Sequence, residues 1–509
     1  MIELSGQPLT LAEIESVAVD LEPVSLSPKA REAMHRSRRV VDDIIAQGKV
    51  AYGVNTGFGR LSDVAIPHEK LGELQLNLVR SHACGFGEPM SVAQSRALTL
   101  LRANVLAKGF SGARPECADI LIEMLNRQVT AYVPLRGSVG ASGDLAPLAH
   151  LALVAIGEGS AKVGSGAWVG GNDALSQVGL APLQLEAKEG LSLLNGTQAI
   201  GAVGNLALSK AHRVFGAMLV STATSIEALM GTPVAFDERV HTIRQHQGQV
   251  QIAEILRDLL ADSQIRESHK ENDPRVQDAY SLRCTPQVYG PVLTALRSTE
   301  EVLSNESGAA TDNPLVFADE AELISGGNFH GAPLALALDQ LAIAIVMAMS
   351  ITERRMDRLV NADASDGLPP FLAPNAGLES GYMIAHVAAV AALNEARVLA
   401  HPACIDNSPT SAGKEDHVSM GMTSAIKFDK IVELFAQVVA CELVMACQGL
   451  EFRKPLLPAK QVQTAYNRVR HIVPPTETDR AFGHDIEMVR QALLNGDLYF
   501  NDLIAEFGV

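Results

Sequence analysis

Residues 198–230, QAIGAVGNLALSKAHRVFGAMLVSTATSIEALM, form the stretch that determines the predicted fold class. Apolar side chains recur at helical spacing along its whole length, no proline interrupts it, and alanine is its commonest residue. Alanine has the highest helix propensity, and this spacing is that of one long α-helix. The stretch therefore predicts a helix several times longer than is usual in a small domain.

The same periodicity extends outward from this stretch in both directions. It predicts further helices over residues 96–107, 144–158, 332–360, 380–401 and 424–453. Strand patterns are few and short, and residues 160–175 are predicted to form a surface hairpin or loop. We therefore predict a mainly α fold with long antiparallel helices in a central bundle. Residues 201–509 would form this bundle and the C-terminal region, and residues 1–200 a smaller mixed N-terminal region, together one intertwined unit.

The long helices are apolar over most of their surface, so other helices must cover them. One chain can hardly cover five such helices, and the pattern therefore predicts an oligomer with a shared helical core.

The composition restricts the classes of function. Apolar residues make up 47% of the 509 residues, and the net charge of -17 disfavours nucleic acid or an anionic membrane as a partner. The N-terminal MIELSG lacks the pattern of a signal peptide, and the longest strongly apolar run, Leu341 to Ile351, is too short to span a bilayer. We expect a cytoplasmic enzyme of small-molecule metabolism. The scattered cysteines and histidines predict neither a disulfide framework nor a metal site.

Polar, glycine-rich segments lie between the apolar helices. Any one of them could be an ordinary turn, but each carries amide, hydroxyl, imidazole, guanidinium or carboxyl groups. Buried polar groups need partners, so several such loops are expected to meet at one pocket. The segments are residues 52–59, 81–85, 137–144, 194–198, 277–283, 326–330 and 414–419.

The segment GSVGASGDLAPLAH, residues 137–150, carries the most specific signal. A helix that begins after Asp144, with Asp144 as its N-cap, explains part of it but not the three flanking glycines. The sharper interpretation is that Ala141-Ser142-Gly143 cyclises. The amide nitrogen of Gly143 attacks the carbonyl carbon of Ala141, water leaves, and Ser142 loses its hydroxyl. The product, 4-methylideneimidazol-5-one (MIO), is an electrophile that requires no external cofactor.

Six ordered motifs resemble those of the aromatic amino acid ammonia-lyase family. The resemblance covers residue 52 to residue 420 or so, and it implies the MIO electrophile on the N-terminal region. It also implies a homotetramer in which each active site draws loops from three subunits. The motifs are YGVNTGFG (52–59), GASGDL (140–145), LNGTQ (194–198), QDAYSLRC (277–284), GGNFH (326–330) and EDHVSM (415–420).

The resemblance implies a role for individual side chains. Arg283 would hold the substrate carboxylate, because a guanidinium fork matches a carboxylate. Tyr52 would act as the base near the β-carbon, and Tyr280 would position substrate and electrophile.

Three further residues complete the implied site. Asn195 and Gln277 would donate hydrogen bonds to the prosthetic group or the substrate, although a buried structural role is open for each. Phe329 would pack nearby.

Two places bear on which amino acid is the substrate. Ser81-His82 resembles the pair found in histidine lyases, where tyrosine lyases tend to have His-Leu and phenylalanine lyases Phe-Leu. Glu415 resembles the histidine-lyase carboxylate that contacts the imidazole or the amino group. A carboxylate pairs with an imidazole N–H but would be stranded beside a phenyl ring. The resemblance thus implies elimination of ammonia from L-histidine to give trans-urocanate. The implied catalytic residues are Tyr52, Ala141, Ser142, Gly143, Tyr280 and Glu415, and the implied substrate-binding residues are Ser81, His82, Asn195, Gln277, Arg283 and Phe329.

Three departures from the histidine-lyase pattern keep alternatives open. Lys414 stands where glutamine is usual, Gly331-Ala332 where Ala-Glu is usual, and Ala279 where proline is usual. A lyase or 2,3-aminomutase acting on tyrosine or phenylalanine would share the same electrophile. A catalytically silent helical scaffold is disfavoured by the intact motifs. A fumarase-aspartase type of lyase is disfavoured because its Gly-Ser-Ser loop with Met-Pro-x-Lys is absent.

Overall fold

The structure, a computed structural model, describes residues 1–57, 66–271, 273 and 275–508. Phe58 and Gly59, which end the first motif, lie outside the described residues. The helices are α1 Leu11–Ala18, α2 Pro28–Ala46, α3 Leu71–His82, α4 Val92–Ala107, α5 Pro115–Asn126, α6 Leu145–Ala155, α7 Gly171–Gln177, α8 Glu189–Leu194, α9 Gln198–Ala228, α10 Glu238–Thr242, α11 Gln247–Leu259, α12 Gln264–Ser268, α13 Tyr280–Arg283, α14 Thr285–Ser307, α15 Ala332–Val360, α16 Met383–Leu399, α17 Gly421–Glu451, α18 Lys460–Ile472 and α19 Phe482–Asn495.

The strands are short and form small separate sheets. β1 Ile2–Leu4 pairs with β2 Val24–Leu26 in parallel, and β3 Phe86–Pro89 pairs with β5 Pro134–Arg136 in antiparallel fashion. A three-stranded antiparallel sheet contains β4 Val129–Ala131, β6 Ser160–Val163 and β7 Val169–Gly170. β8 Leu315–Phe317 and β9 Glu322–Ile324 form a hairpin. The prediction of a mainly α fold is confirmed.

The hairpin predicted for residues 160–175 is correct only in its first part. β6 and β7 pair as predicted, with Ala161 opposite Val169, but α7 begins at Gly171. Ala174 and Leu175 are fully buried in α7, so their burial against the rest of the chain accounts for a helix at the end of this segment.

The chain forms two compact units. The first comprises residues 1–206, 299–339 and 402–426, and the second comprises residues 207–298, 340–401 and 427–509. In the first unit, α4 packs against α1 and α5, and its residues 94–107 are all buried. The guanidinium of Arg96, within α4, donates to the carbonyl oxygens of Val17 and Leu125. A cation at these carbonyls satisfies groups near the C-terminal ends of α1 and α5.

In the second unit, a buried ion pair joins the long helices. Arg355 of α15 donates to both carboxylate oxygens of Glu442 of α17, at 2.5 and 3.0 Å, and both side chains are fully buried. Ser221 and Ser225 of α9 also donate to this carboxylate, and Arg355 donates to the hydroxyl oxygen of Tyr289 of α14. A buried charge is tolerated only when it is paired and hydrogen-bonded, so this cluster ties four helices to one arrangement.

Among the described residues, two helices are long and apolar enough to cross a membrane by length and composition alone. They are Ala332–Val360 and Gly421–Glu451, whose apolar windows are 56% and 83% buried inside the chain. The run Leu341 to Ile351 singled out in the sequence is thus part of a longer apolar helix. The core helix of a soluble protein meets the same criteria.

Candidate active site

The Ala141-Ser142-Gly143 loop of the first unit takes a conformation that requires glycine. Gly140 and Gly143 have φ of 68° and 70°, in the left-handed region. A Cβ on Gly143 would lie 2.2 Å from the carbonyl oxygen of Gly196, and one on Gly140 would lie 2.1 Å from the Ser419 hydroxyl. Both distances are far below van der Waals contact, so glycine at 140 and 143 is explained by space as well as by φ.

Three other segments of the first unit hold this loop in place. The backbone N–H of Asp144 donates to the Gly196 carbonyl at 2.7 Å. The Gly140 carbonyl accepts from the Ser419 hydroxyl at 3.0 Å and from the Gly331 N–H at 3.3 Å. Segments 137–144, 194–198 and 414–419 therefore meet at this loop, and Gly331, which directly follows segment 326–330, joins them.

Asp144 acts differently from the predicted N-cap. It precedes α6, but its side chain makes no capping bond to that helix. Its carboxylate accepts instead from the Ser138 hydroxyl at 2.7 Å and from the Ile200 N–H, in the first turn of α9, at 2.8 Å. Complete burial raises the pKa of Asp144 to about 6, although these hydrogen bonds oppose the shift. The carboxylate thus links the electrophile loop to the start of α9.

Ser142 and Glu415, far apart in sequence, lie in direct contact. The Ser142 hydroxyl donates to Oε1 of Glu415 at 2.6 Å. The other carboxylate oxygen, Oε2, accepts from the hydroxyls of Thr410 at 2.6 Å and Ser411 at 2.7 Å. Partial burial would raise the pKa of Glu415, but the three hydroxyl donors lower it, and His82 adds to this effect in acid, where its imidazole is protonated; together they outweigh the burial. Glu415 is therefore ionised at neutral pH, with its carboxylate held at the electrophile loop.

His82 ends α3 and presents one ring nitrogen. Its Nδ1 lies 2.9 Å from the Leu78 carbonyl oxygen, which can only accept, so Nδ1 carries the hydrogen. Burial lowers the pKa of His82, opposed by the Leu78 bond and by the charge of Glu415. His82 is therefore neutral at pH 7, and its Nε2 is a hydrogen-bond acceptor. Ser81 beside it donates to the same carbonyl at 3.1 Å.

Asn195 is buried in the first unit, which agrees with the buried structural role that the sequence analysis left open for it. Its Nδ2 donates to the Asn313 carbonyl at 3.2 Å, and Oδ1 of Asp312 lies 3.5 Å away. Its own carbonyl accepts from the buried Arg102 at 2.8 Å. These contacts fix Asn195 beside Gly196, the residue that touches Gly143.

Tyr52 and Phe329 also belong to the first unit. Tyr52 is partly buried in a turn, and a Cβ on the adjacent Gly53 would lie 2.7 Å from the Leu191 side chain. Phe329 is partly buried within the 326–330 segment. The neighbouring His330 ring stacks on His417 at 5.8 Å between centroids.

The other three predicted site residues belong to the second unit. Gln277 is exposed, and the Tyr280 side chain is 70% exposed. The guanidinium of Arg283 lies over the Tyr280 ring at 4.7 Å, and its Nε donates to the Asp278 carbonyl at 2.9 Å. The terminal nitrogens of Arg283, the pair that forms a bidentate fork, make no hydrogen bond to another residue in the described part of the chain.

Thr410 and Ser411 were missed by the sequence reasoning. Their only signal is the run SPTSAG at residues 408–413, a polar loop just before Glu415. A polar run of this kind is typical of any turn, and nothing in it indicates which side chain its hydroxyls would contact.

Comparison with known proteins agrees with this arrangement. The family model described as aromatic amino acid lyase matches residues 9–471. The chain belongs to the aromatic amino acid lyase family. A histidine ammonia-lyase of Anaeromyxobacter dehalogenans is 50% identical over 502 residues, which cover 97% of this chain and 99% of that protein.

Solved structures give the same relationship. The crystal structure of histidine ammonia-lyase from Trypanosoma cruzi has a TM-score of 0.92 at 39% identity, covering 99% of this chain and 95% of the other. Phenylalanine aminomutase of Pantoea agglomerans has a TM-score of 0.92 at 34% identity, covering 97% and 99%. The predicted family resemblance and the predicted carbon–nitrogen lyase class are confirmed. This family is the MIO-dependent class of lyases.

Proposed function

We propose that this chain is a histidine ammonia-lyase, which removes ammonia from L-histidine without oxidation and releases trans-urocanate. The observation that carries the proposal is the Glu415 carboxylate beside Ser142: before the electrophile forms, its Oε1 lies 2.6 Å from the Ser142 hydroxyl, and the hydroxyls of Thr410 and Ser411 hold its other oxygen. An anionic group at this place suits a substrate whose side chain bears an N–H and would be left unpaired beside a phenyl ring. The relatives that are about half identical over nearly the full length support the same substrate.

The proposal includes an electrophile made from the chain itself. Ala141, Ser142 and Gly143 would lose two waters and become MIO, which supplies an electron sink for the elimination. The residues present fit this group. Gly143 has no side chain to obstruct its amide nitrogen, and a side chain there would collide with Gly196. Ala141 is buried, which keeps the reacting carbonyl away from bulk water.

Each remaining side chain has a defined task in this proposal. Tyr52 would take the β-proton, and Arg283 would bind the substrate carboxylate with the terminal nitrogens that its Nε contact to Asp278 leaves available. Glu415 and His82 would bind the imidazole or the amino group. In the neutral tautomer defined by Leu78, His82 accepts a hydrogen bond from the substrate rather than donating one.

The remaining predicted site residues have supporting roles in this proposal. Tyr280 would position the substrate, and Asn195 and Gln277 would donate hydrogen bonds. Phe329 would pack against the substrate ring.

We also propose a homotetramer with active sites shared between subunits, and a cytoplasmic location. The second unit supports the assembly, because α16 exposes an apolar stripe in the isolated chain. Ile384, Val387 and Val398 are 62%, 54% and 71% exposed, and Ile343 and Met347 of α15 are 41% and 49% exposed. Exposed apolar faces of this kind mark protein–protein contacts. Light scattering on active enzyme tests the assembly, and a fully active monomer would refute it.

A second candidate is a 2,3-aminomutase or ammonia-lyase acting on phenylalanine or tyrosine. The similarity to the Pantoea agglomerans phenylalanine aminomutase, with a TM-score of 0.92, favours keeping it. Lys414, adjacent to Glu415, is the departure nearest the proposed substrate contact.

The test is incubation of the purified protein with L-histidine, L-phenylalanine and L-tyrosine in separate reactions. Urocanate absorbance together with ammonia release is expected with L-histidine. The Ser142→Ala variant is the control, because alanine has no hydroxyl to eliminate. Intact-mass spectrometry should show the wild-type chain two waters lighter than its sequence and Ser142→Ala without the second loss. Faster turnover of tyrosine or phenylalanine than of histidine would make the second candidate the better description.

A further inference from the structure

Glu415 is held by its own loop as well as by the electrophile loop. The hydroxyls of Thr410 and Ser411 both donate to Oε2, at 2.6 and 2.7 Å, so that oxygen is occupied by two short charge-assisted hydrogen bonds. Oε1 faces Ser142 instead. A carboxylate bound in this way has a fixed rotation about its last bond, and only one oxygen is presented to the site.

The loop that carries these hydroxyls has an unusual backbone. Ser411, Ala412 and Gly413 have consecutive φ values of 50°, 53° and 82°. Residues with side chains seldom adopt this left-handed region, and they do so mainly where surrounding contacts enforce it, often at functional sites. Here the enforcing contacts include an antiparallel bridge between Thr410 and Glu415, with the Thr410 N–H donating to the Glu415 carbonyl at 2.9 Å. The tight loop thereby brings both hydroxyls onto one oxygen of the carboxylate.

We infer that Thr410 and Ser411 are positioning residues that orient the Glu415 carboxylate and thereby set selectivity for a substrate with a side-chain N–H. The inference rests on the proposed function, since it assigns Glu415 to substrate recognition. Both hydroxyls donate to Oε2, whereas the Ser142 hydroxyl donates to Oε1. Their effect on the reaction would pass through Glu415.

The electrostatic consequence follows from the same contacts. Hydroxyl donors stabilise the ionised carboxylate, so the pKa of Glu415 lies below its usual value despite partial burial. The facing titratable group is His82, whose charge acts in the same direction once acid protonates its imidazole, while Lys414 and Asp416 are exposed residues that flank Glu415. Loss of the two donors should therefore raise the pKa of Glu415, and the acid limb of the pH profile should move to higher pH.

The test uses the full-length protein and the double variant Thr410→Val/Ser411→Ala. Valine matches the shape of threonine and keeps the backbone bridge, so only the hydroxyls are removed. At neutral pH we expect kcat/KM for L-histidine to fall at least tenfold, a smaller change for any L-phenylalanine turnover, and an acid limb at higher pH. The single variant Thr410→Ser keeps a hydroxyl at this position and should have the pH profile of the wild type. Intact mass and melting temperature establish that the electrophile and the fold are preserved.

The outcomes separate this inference from the function on which it rests. If the wild-type protein turns over L-histidine and the double variant has the same kcat/KM and the same pH profile, the positioning role alone is overturned. An equal loss for both substrates, with a lower melting temperature and an unmoved acid limb, would assign the hydroxyls a structural role and also overturn it. A wild-type protein that leaves L-histidine unchanged would refute the proposed function and this inference together.

Discussion

Replacement of Gly143 by alanine tests the geometry of the electrophile loop. Two costs follow from the structure. An L-residue at φ of 70° is in the left-handed region, which costs roughly 1–2 kcal/mol. The new Cβ would also lie 2.2 Å from the carbonyl oxygen and 2.5 Å from the carbonyl carbon of Gly196, so backbone must move. Overpacking of this kind costs about 1–3 kcal/mol. The expected destabilisation is therefore roughly 2–5 kcal/mol.

Gly48→Ala provides the matched control. Gly48 has φ of 66° and no atom within 4 Å of an added Cβ, so its substitution measures the left-handed cost alone. Denaturant unfolding at one fixed protein concentration compares the three proteins, since assembly would make stability depend on concentration. Intact-mass spectrometry then measures loss of water at residues 141–143. We expect Gly48→Ala to be fully modified and Gly143→Ala to remain largely unmodified and less stable. Equal stability of the two variants, with both fully modified, would refute the reasoning.

Three further predictions concern ionised groups. Glu415→Gln should lower kcat/KM for L-histidine at least about tenfold, because a charge-assisted hydrogen bond contributes roughly 1.5–3 kcal/mol; an equal loss with L-phenylalanine would contradict this. The pKa of Asp144 in the folded protein is about 6, above the ordinary value of 3.8. The folded state therefore favours the protonated carboxyl, and this contribution to the free energy of unfolding is fully present below about pH 4. It is lost as the pH rises through 6, and the loss amounts to roughly 3 kcal/mol. In the Asp144→Asn variant, the melting temperature should depend less on pH between about 4 and 6 than in the wild type. Parallel curves of melting temperature against pH for the two proteins would contradict this prediction. Glu442→Gln should destabilise by about 3–5 kcal/mol, because it strands the buried charge of Arg355, and a loss below about 1 kcal/mol in denaturant unfolding would contradict it.

The long helices were predictable because their determinants are local. The periodicity over residues 332–360 predicted α15 with the bounds it has, and the stretch from Gln198 predicted α9 to within two residues of its end. Helical spacing and alanine-rich composition act within a few turns of chain, so no distant contact is needed to define them. Apart from the β6–β7 hairpin, the short strands were not predicted, since a pairing such as Phe86 with Arg136 depends on distant partners.

The candidate site divides in the same way. The motif chemistry indicated Ser142, Gly143 and Glu415 from the sequence alone, because residue types and their local order determine which atoms can react. The sequence did not reveal the hydrogen-bond partner of the Asp144 side chain. The local capping rule predicts a bond to α6, but the carboxylate accepts from the Ile200 N–H at the start of α9. The capping rule considers only the N–H groups that follow directly in sequence, whereas folding places the Ile200 N–H beside this carboxylate.

The sequence by itself determined the helical class, the family and the tripeptide able to form an electrophile, since each is written in local composition or in contiguous motifs. Only the tertiary structure decided that Glu415 contacts Ser142 across 273 positions of chain and that Thr410 and Ser411 occupy its other oxygen. These contacts arise when separate loops are packed together. The energy of a hydrogen bond depends on distance and angle between atoms, which chain order does not specify.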